Sequence, residues 1–351
     1  MTDEPFQLTL VGEHDGFRQN IRMAFALLQA MANESSCPPI NVTAILADDF
    51  VSAVESAQHR AGIADGRPFA LERIGGLVSA KNVPTARDYS TVEIVFNSEL
   101  WEASNDSPMA EGIRLWIALH ELAHPVFGRL RHASGALDGV PFPSHTPSEV
   151  ARSMIRVAVE EMRCDQIVDR ILSNVASVRR PDGEELPLRL GMLHDLGYCQ
   201  AVIEALDERV YPGWPDLVED YQYHQLSLDE MWARLATSTD GMLTLLGRAH
   251  AEALSVDYPG PLSNEAATSP GTQLYLGPMW GRIVAAAMNQ PLIPSLDTFA
   301  QLEAELLDEG ENAIHEMWRK LGVEVEELGD RKFALWISEP TRMPQQDEFP
   351  G

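Results

Sequence analysis

The stretch IALHELAH, residues 117–124, decides the fold of this chain, and it carries the pattern H-E-x-x-H inside an apolar helical run. Residues four apart on a helix stand on one face, with Cβ atoms roughly 5–6 Å apart. The imidazoles of His120 and His124 can therefore both reach one zinc ion at about 2.0–2.1 Å. Glu121 lies beside them and can polarise a metal-bound water without ligating the metal.

The neighbours of this motif indicate a buried helix, because Trp116, Leu119, Leu122 and Phe127 make it apolar nearly all round. Burying two histidines and a glutamate without partners would cost several kcal/mol, whereas a metal with a bound water satisfies all three. Pro125 directly follows the second histidine. We expect a kink there, because proline lacks a backbone donor and crowds the preceding turn.

A third ligand is expected from a second helix, which spans roughly residues 149–172. Its start is well marked, because Thr146 can act as the N-cap, Pro147 takes the first helical position and Glu149 completes a capping box. A second capping box is predicted at Ser227–Glu230.

Helical periodicity separates two adjacent glutamates on this helix. Glu161 shares a face with apolar residues and with Asp165, whereas Glu160 shares a face with Ser153 and arginines and is expected to be solvated. A buried carboxylate needs a compensating charge, which a metal can supply to Glu161. Asp165 can accept the second ring N–H of a ligating histidine.

The two motifs together, H-E-x-x-H followed by E-x-x-A-D, resemble those of the gluzincin metallopeptidases. The second motif reads EMRCD here, residues 161–165, with Cys164 in place of alanine. The soluble ImmA/IrrE-type regulators and the HtpX-type peptidases are the most similar, and the resemblance covers roughly residues 40–175. It implies an α+β fold with a zincin-like core, made of a small sheet with an active-site helix and a ligand helix.

The resemblance also implies roles for single residues. His120, His124 and Glu161 would ligate Zn²⁺, Glu121 would be the general base, and Asp165 would support a ligating histidine. His132 is an alternative third ligand, but on an unbroken helix it lies about 12 Å from His124 along the axis.

The order of elements agrees with this expectation. Strand patterns at 40–46 and 91–97 precede the motif helix, which Ser107 and Pro108 are predicted to cap. We expect the strand at 91–97 to edge the cleft, where an extended substrate can pair with it. The turn-rich segment 133–146 is predicted to be a loop.

The turn residues Pro181, Asp182 and Gly183 mark a boundary between a predicted metallopeptidase domain, residues 1–180, and a mainly helical C-terminal domain of unknown role, residues 181–351. Helices are predicted at roughly 186–208, 214–224, 227–254, 279–289 and 296–322. Tyr223 and His224 are the candidates there for stabilising an oxyanion, a role that such peptidases often give to a tyrosine or histidine.

Composition narrows the possible partners. The 351 residues carry a formal net charge of −27, which disfavours binding to nucleic acid or to anionic membranes. No apolar run approaches the ~18–20 residues of a membrane span. Three widely spaced cysteines fit a reducing, cytoplasmic setting.

The sequence thus predicts a soluble zinc metallopeptidase that acts on a peptide or protein substrate, with Glu121 as general base for a metal-activated water. The alternatives are a non-catalytic, zinc-stabilised scaffold with an acidic interaction surface, and a regulator that cleaves one specific protein. The oligomeric state is left open by the sequence.

Overall fold

A computed structural model describes residues 6–62, 72–73, 76–77, 79–102, 107–137, 146–194 and 197–343. These residues form an α+β structure with a small mixed sheet and mostly helical content, which confirms the predicted coarse class. The strands, in chain order, are β1 Phe6–Val11, β2 Ile40–Ala47, β3 Glu72–Arg73, β4 Gly76–Leu77, β5 Ala80–Pro84, β6 Thr91–Asn97, β7 Ser177–Arg179, β8 Glu185–Pro187, β9 Val323–Gly329 and β10 Lys332–Ile337.

The helices, in chain order, are α1 Asp15–Glu34, α2 Phe50–Arg60, α3 Glu99–Glu102, α4 Pro108–Ala133, α5 Pro147–Val175, α6 Leu190–His194, α7 Gly197–Ala205, α8 Gly213–Gln222, α9 Leu228–Ser255, α10 Gly277–Met288 and α11 Leu296–Lys320. π-helical turns follow α7 at Leu206–Val210 and precede α10 at Thr272–Leu276.

The main sheet has four strands in the order β1-β2-β6-β5. β1, β2 and β6 are parallel, and β5 runs antiparallel to β6 at the sheet edge. Apolar side chains alternate between its two faces: Ala44 and Ile94 belong to the large core shared with α1 and α4, and Val95 packs with α2. The sheet is therefore a layer between α2 on one side and α1 with α4 on the other.

The expectation that Thr91–Asn97 edges the cleft is wrong, because β6 is paired with β2 on one side and with β5 on the other. Its continuous run of β-branched and aromatic residues is typical of such an interior strand. The edge strand on this side is β5, and Asn82 of β5 donates a 2.8 Å hydrogen bond to the Glu121 carbonyl of α4. The sheet edge and the motif helix are thus directly connected.

The predicted starts of the long helices are confirmed. Ser107 accepts from Ala110 N at the start of α4, and both capping boxes, Thr146 with Glu149 and Ser227 with Glu230, are formed. α4 continues through Pro125 to Ala133. The central part of the predicted loop, residues 138–145, lies outside the described residues.

The helices after Pro181 pack directly on the first half of the chain, and one core of buried side chains runs through both. The approach of α9 to α5 is closest at Gly247, where an added Cβ would lie 2.2 Å from the Ala158 carbonyl oxygen. This contact places the C-terminal part of α9 beside the carboxylates of α5. The domain boundary at residue 180 remains a prediction.

Two further features concern the cysteines and the length and polarity of the helices. All three cysteines are buried free thiols, and burial together with nearby carboxylates raises the pKa of Cys164 well above its ordinary value, which disfavours the reactive thiolate form. Within the described part of the chain, no helix combines the length and the apolar character needed to cross a membrane.

Candidate metal centre

The helices α4 and α5 bring three predicted ligands together. His120 and His124 face α5 from successive turns of α4, and Glu161 faces them from α5. Their ligand atoms all lie within 4.8 Å of one another, close enough to bind one metal ion. The two histidine Nε2 atoms are 3.2 Å apart, and Glu161 places Oε2 3.1 Å from His120 Nε2 and Oε1 3.8 Å from His124 Nε2.

These separations suit a tetrahedral zinc site. Ligand atoms about 2.0–2.1 Å from a tetrahedral zinc ion lie about 3.3 Å from each other. The distance between the two histidine Nε2 atoms and the distance from His120 Nε2 to Glu161 Oε2 are close to this value, and the 3.8 Å from His124 Nε2 to Glu161 Oε1 is about half an ångström longer. Two histidines and one glutamate are also a donor set that leaves a fourth position for water or substrate. The residues present therefore fit a zinc ion.

The outward nitrogen of His120 is held by Asp165. The Nδ1 to Oδ1 distance is 2.7 Å, and the Trp116 indole donates to the same oxygen at 3.0 Å. Although Asp165 is fully buried, His120 and Arg248 keep its pKa below the ordinary value, so it is an ionised acceptor. The proton of His120 is thus directed to Nδ1, and Nε2 is turned toward Glu161.

Glu160 holds His124 in the same way, and the prediction that it is solvated is wrong. Its side chain is only 17% exposed, and Oε1 accepts from His124 Nδ1 at 2.7 Å. Burial would raise the pKa of Glu160, but Arg131 and His124 lower it to about 2. Both ligand histidines therefore have an ionised carboxylate behind them, from adjacent parts of one helix.

The solvated face assigned to Glu160 is covered by α11, which no local pattern could reveal. Arg131 of α4 lies between Glu160 at 2.8 Å and Glu303 of α11 at 2.6 Å, and Arg156 also donates to Glu303. Arg131 and Glu303 are both buried. A chain of ion pairs thus extends from the candidate metal centre to the C-terminal part of the protein.

Glu121 directly follows His120 on α4. Its backbone carbonyl is fixed by Asn82. Its negative charge is among the causes that raise the pKa values of Cys164 and Arg248, so the carboxylate acts within the same electrostatic environment as Glu161.

Arg248 of α9 is a site residue that the sequence analysis missed. Its Nε lies 3.4 Å from Glu161 and 3.5 Å from Asp165, and Nη2 lies 3.4 Å from His120 Nε2. The guanidinium packs over the ring of Tyr198, with 4.9 Å between Cζ and the ring centroid. Burial opposes ionisation of Glu161, yet Arg248 and the two histidines hold its pKa well below the ordinary value.

The carboxylates of the cluster outnumber its guanidiniums. Two guanidiniums, of Arg131 and Arg248, interact electrostatically with four carboxylates, those of Glu121, Glu160, Glu161 and Asp165. The excess negative charge is offset either by a divalent cation or by protons on the imidazoles. Burial disfavours protonation of His120, but Asp165 and Glu161 raise its pKa to about 10. A metal ion would thus replace a bound proton.

The other candidates are not brought to this cluster. His132, the alternative third ligand, lies against Tyr89, with 6.1 Å between the ring centroids. Tyr223 and His224 lie between α8 and the start of α9, and Tyr223 is largely exposed. From Leu228 to Arg248, α9 rises about 30 Å, which separates these two candidates from the part of α9 beside the site.

Comparison of the chain with protein-family models, with curated proteins and with solved structures gives no match.

Proposed function

We propose that this protein is a zinc-dependent metallopeptidase with a gluzincin-type centre. The observation that carries the proposal is the convergence of His120, His124 and Glu161, whose ligand atoms lie within 4.8 Å of one another and close to the spacing of a tetrahedral zinc site. Zn²⁺ held by these three residues would supply a Lewis acid that polarises a carbonyl and lowers the pKa of water toward about 7.

The protein's own residues have separate tasks in this proposal. Asp165 and Glu160 orient the ligand histidines through Nδ1. Glu121 takes a proton from the attacking water and passes it to the leaving amine. Among the described residues, Arg248 is the cation that lies beside Glu161. We assign to it, in place of Tyr223 or His224, the stabilisation of negative charge on the substrate oxygen.

The edge of the sheet offers a place for the substrate. β5 is hydrogen-bonded to β6 on one side, and among the described residues no strand pairs with its other side. An extended peptide can add to such an edge through backbone hydrogen bonds. Asn82 fixes this strand against the turn of α4 that carries Glu121, so the scissile bond of a peptide on β5 would lie near the ligand histidines.

A zinc-stabilised scaffold without catalysis is the second candidate. The position of the cluster favours it, because the ligands and Arg248 join α4, α5 and α9, and a metal there would stabilise their packing. The two candidates agree on the metal and differ on Glu121.

One experiment separates them: bound zinc and hydrolysis of an unfolded protein such as casein are measured for the wild type and three variants. We expect Glu121→Gln to keep zinc and lose turnover, Glu161→Ala to lose zinc, and Glu204→Gln, an exposed glutamate on α7, to change neither. Equal turnover in the wild type and Glu121→Gln would refute the peptidase mechanism. A wild type that binds no zinc when purified without chelator would refute the centre itself.

A further inference from the structure

A second site lies on the opposite side of α5 from the metal ligands. Between α5, α9 and the end of α10 the structure has a cavity of about 290 Å³, lined on α5 by Arg163 and Arg170. Successive helical residues turn by about 100°, so Arg163 points roughly 160° away from Glu161, while Arg163 and Arg170 share one face. The cavity is thus separate from the candidate metal centre.

The charge lining this cavity is unusual for so acidic a protein. Arg163 is only 7% exposed. It donates to the amide oxygen of Gln290 at 2.7 Å, and the described residues form no ion pair with it. Glu303, the carboxylate that attracts it most, is already bonded to Arg131 and Arg156. A buried cation without a carboxylate partner is costly unless another anion accompanies it.

The remaining charges of the cavity do not supply that anion. Asp169 is its acidic lining residue, and both carboxylate oxygens of Asp169 accept from Arg189 at 2.8–3.1 Å. Arg170 is exposed, and no ion pair of its guanidinium occurs within the described ranges. Two of the three arginines lining the cavity therefore have guanidiniums available to an anion.

The opposite wall is apolar. Leu254 of α9 and Met288 of α10 line it, and Met288 is about half exposed although it is large and hydrophobic. Methionine adapts its shape to irregular ligands. A cavity with a few convergent polar groups and an apolar wall is typical of small-molecule sites, and its volume is near the lower end of their range of roughly 300–1,000 Å³.

We propose that this cavity binds a small organic anion, a phosphate monoester or a carboxylate, whose charged head contacts Arg163 and Arg170 and whose apolar part packs on Leu254 and Met288. Guanidinium groups bind both kinds of oxyanion through paired hydrogen bonds. The proposal does not depend on the metal or on peptidase activity.

Binding is tested by calorimetry at low salt on the full-length protein, after bound metal has been removed by dialysis against 1,10-phenanthroline. Phenyl phosphate and benzoate represent the two head groups, inorganic phosphate lacks the apolar part, and benzyl alcohol lacks the charge. We expect at least one aromatic anion to bind more tightly than inorganic phosphate, and benzyl alcohol not to bind. The tighter of the two aromatic anions identifies the preferred head group.

Variants of the lining residues locate the site. Arg163→Gln is expected to weaken binding by about tenfold or more, since a charge-assisted hydrogen bond is lost. Its melting temperature should equal or exceed that of the wild type, because a buried unpaired cation is removed; a purely structural arginine would instead lower it. Leu254→Glu, at a half-buried position, should also abolish binding by repulsion.

Arg234→Gln is the matched control, because Arg234 is an exposed arginine near the start of α9 and does not line the cavity. It should bind the anions like the wild type. The proposal is overturned if no aromatic anion binds at millimolar concentration, or if Arg163→Gln and Leu254→Glu both retain wild-type affinity.

Discussion

Glu160 accepts a 2.7 Å hydrogen bond from the Nδ1 of His124. The next residue on the helix, Glu161, faces the Nε2 atoms of both His120 and His124. Adjacent carboxylates on α5 thus have different contacts, since Glu160 orients a histidine and Glu161 completes the candidate ligand set. Asp165 repeats the orienting role for His120. The ligand geometry is therefore set by three acidic side chains within two turns of one helix.

Replacing Glu160 should weaken metal binding without removing a ligand. Glu160→Gln leaves an amide beside His124 but loses the charge that fixes the Nδ1 proton. Loss of such an outer partner typically costs about ten- to hundredfold in metal affinity. The measurement is zinc competition with a chromogenic chelator, with Glu204→Gln as the control. An unchanged affinity in Glu160→Gln would show that His124 is oriented by other contacts.

The buried ion pairs that Arg131 makes with Glu160 and Glu303 predict that replacing Arg131 strongly lowers the free energy of unfolding. Arg131→Met would leave Glu160 and Glu303 buried without their shared cation, and breaking such a pair costs about 3–5 kcal/mol in the free energy of unfolding. The double variant with Glu303→Gln should lose less than the sum of the single losses, because one of the two stranded carboxylates is gone. Urea unfolding measures all three variants.

Arg152 provides a matched control, because its ion pairs also connect α5 with α11. Arg152 pairs with Asp308 and Glu311 of α11, but its side chain is 38% exposed. Arg152→Met should cost only about 0–1 kcal/mol, since exposed ion pairs are screened by solvent. Equal losses in Arg131→Met and Arg152→Met would contradict the role given to burial.

The close approach of α9 to α5 gives a third prediction. Gly247→Ala would place its Cβ 2.2 Å from the backbone oxygen of Ala158, so the helices must separate. Overpacking of this kind costs about 1–3 kcal/mol. Because α9 also carries Arg248, we expect zinc affinity to change together with the unfolding free energy.

Gly281 provides the control for this substitution. It is an exposed glycine in α10, and an added Cβ would meet no atom of the described residues within 4 Å. Gly281→Ala should therefore stabilise the protein by about 0.5–1 kcal/mol through helix propensity alone. Gly247→Ala with wild-type stability would show that α5 and α9 can move apart freely.

Local signals in the sequence predicted the parts of this structure that local physics determines. The caps at Ser107, Thr146 and Ser227 and the strand Thr91–Asn97 are where the pattern placed them. The facing of Glu161 and Asp165 also followed from helical periodicity. These features depend on residues within about two turns of each other.

Residues that depend on distant packing were not predicted. Glu160 looked solvated because the helix that covers it, α11, begins more than a hundred residues later. One signal for its role is present in the sequence: two ligand histidines need two acceptors for their second ring nitrogens, and Asp165 can serve only one of them. Arg248 stands in an apolar stretch of α9, and only the packing of α9 on α5 shows which carboxylates it meets.

The burial of His250 predicts a dependence of the unfolding free energy on pH that does not involve the candidate metal centre. It is buried on α9, its Nδ1 has no hydrogen-bond partner among the residues that the structure describes, and burial lowers its pKa to about 4. In the unfolded chain a histidine has a pKa of about 6.5. Between these values the unfolded state binds more protons, so the unfolding free energy falls as pH drops from about 6.5 to 4, by up to about 3 kcal/mol.

Urea unfolding at pH 7, 6, 5 and 4 checks this sign and its origin. His250→Gln removes the titrating group and should reduce the loss of stability on acidification, whereas His59→Gln, at an exposed position of α2, should leave it unchanged. The unpartnered imidazole packs near the Trp280 ring, with 6.2 Å between centroids, so the cost of its protonation arises from desolvation. Identical acid sensitivity in His250→Gln and the wild type would show that this histidine is hydrated in the folded protein.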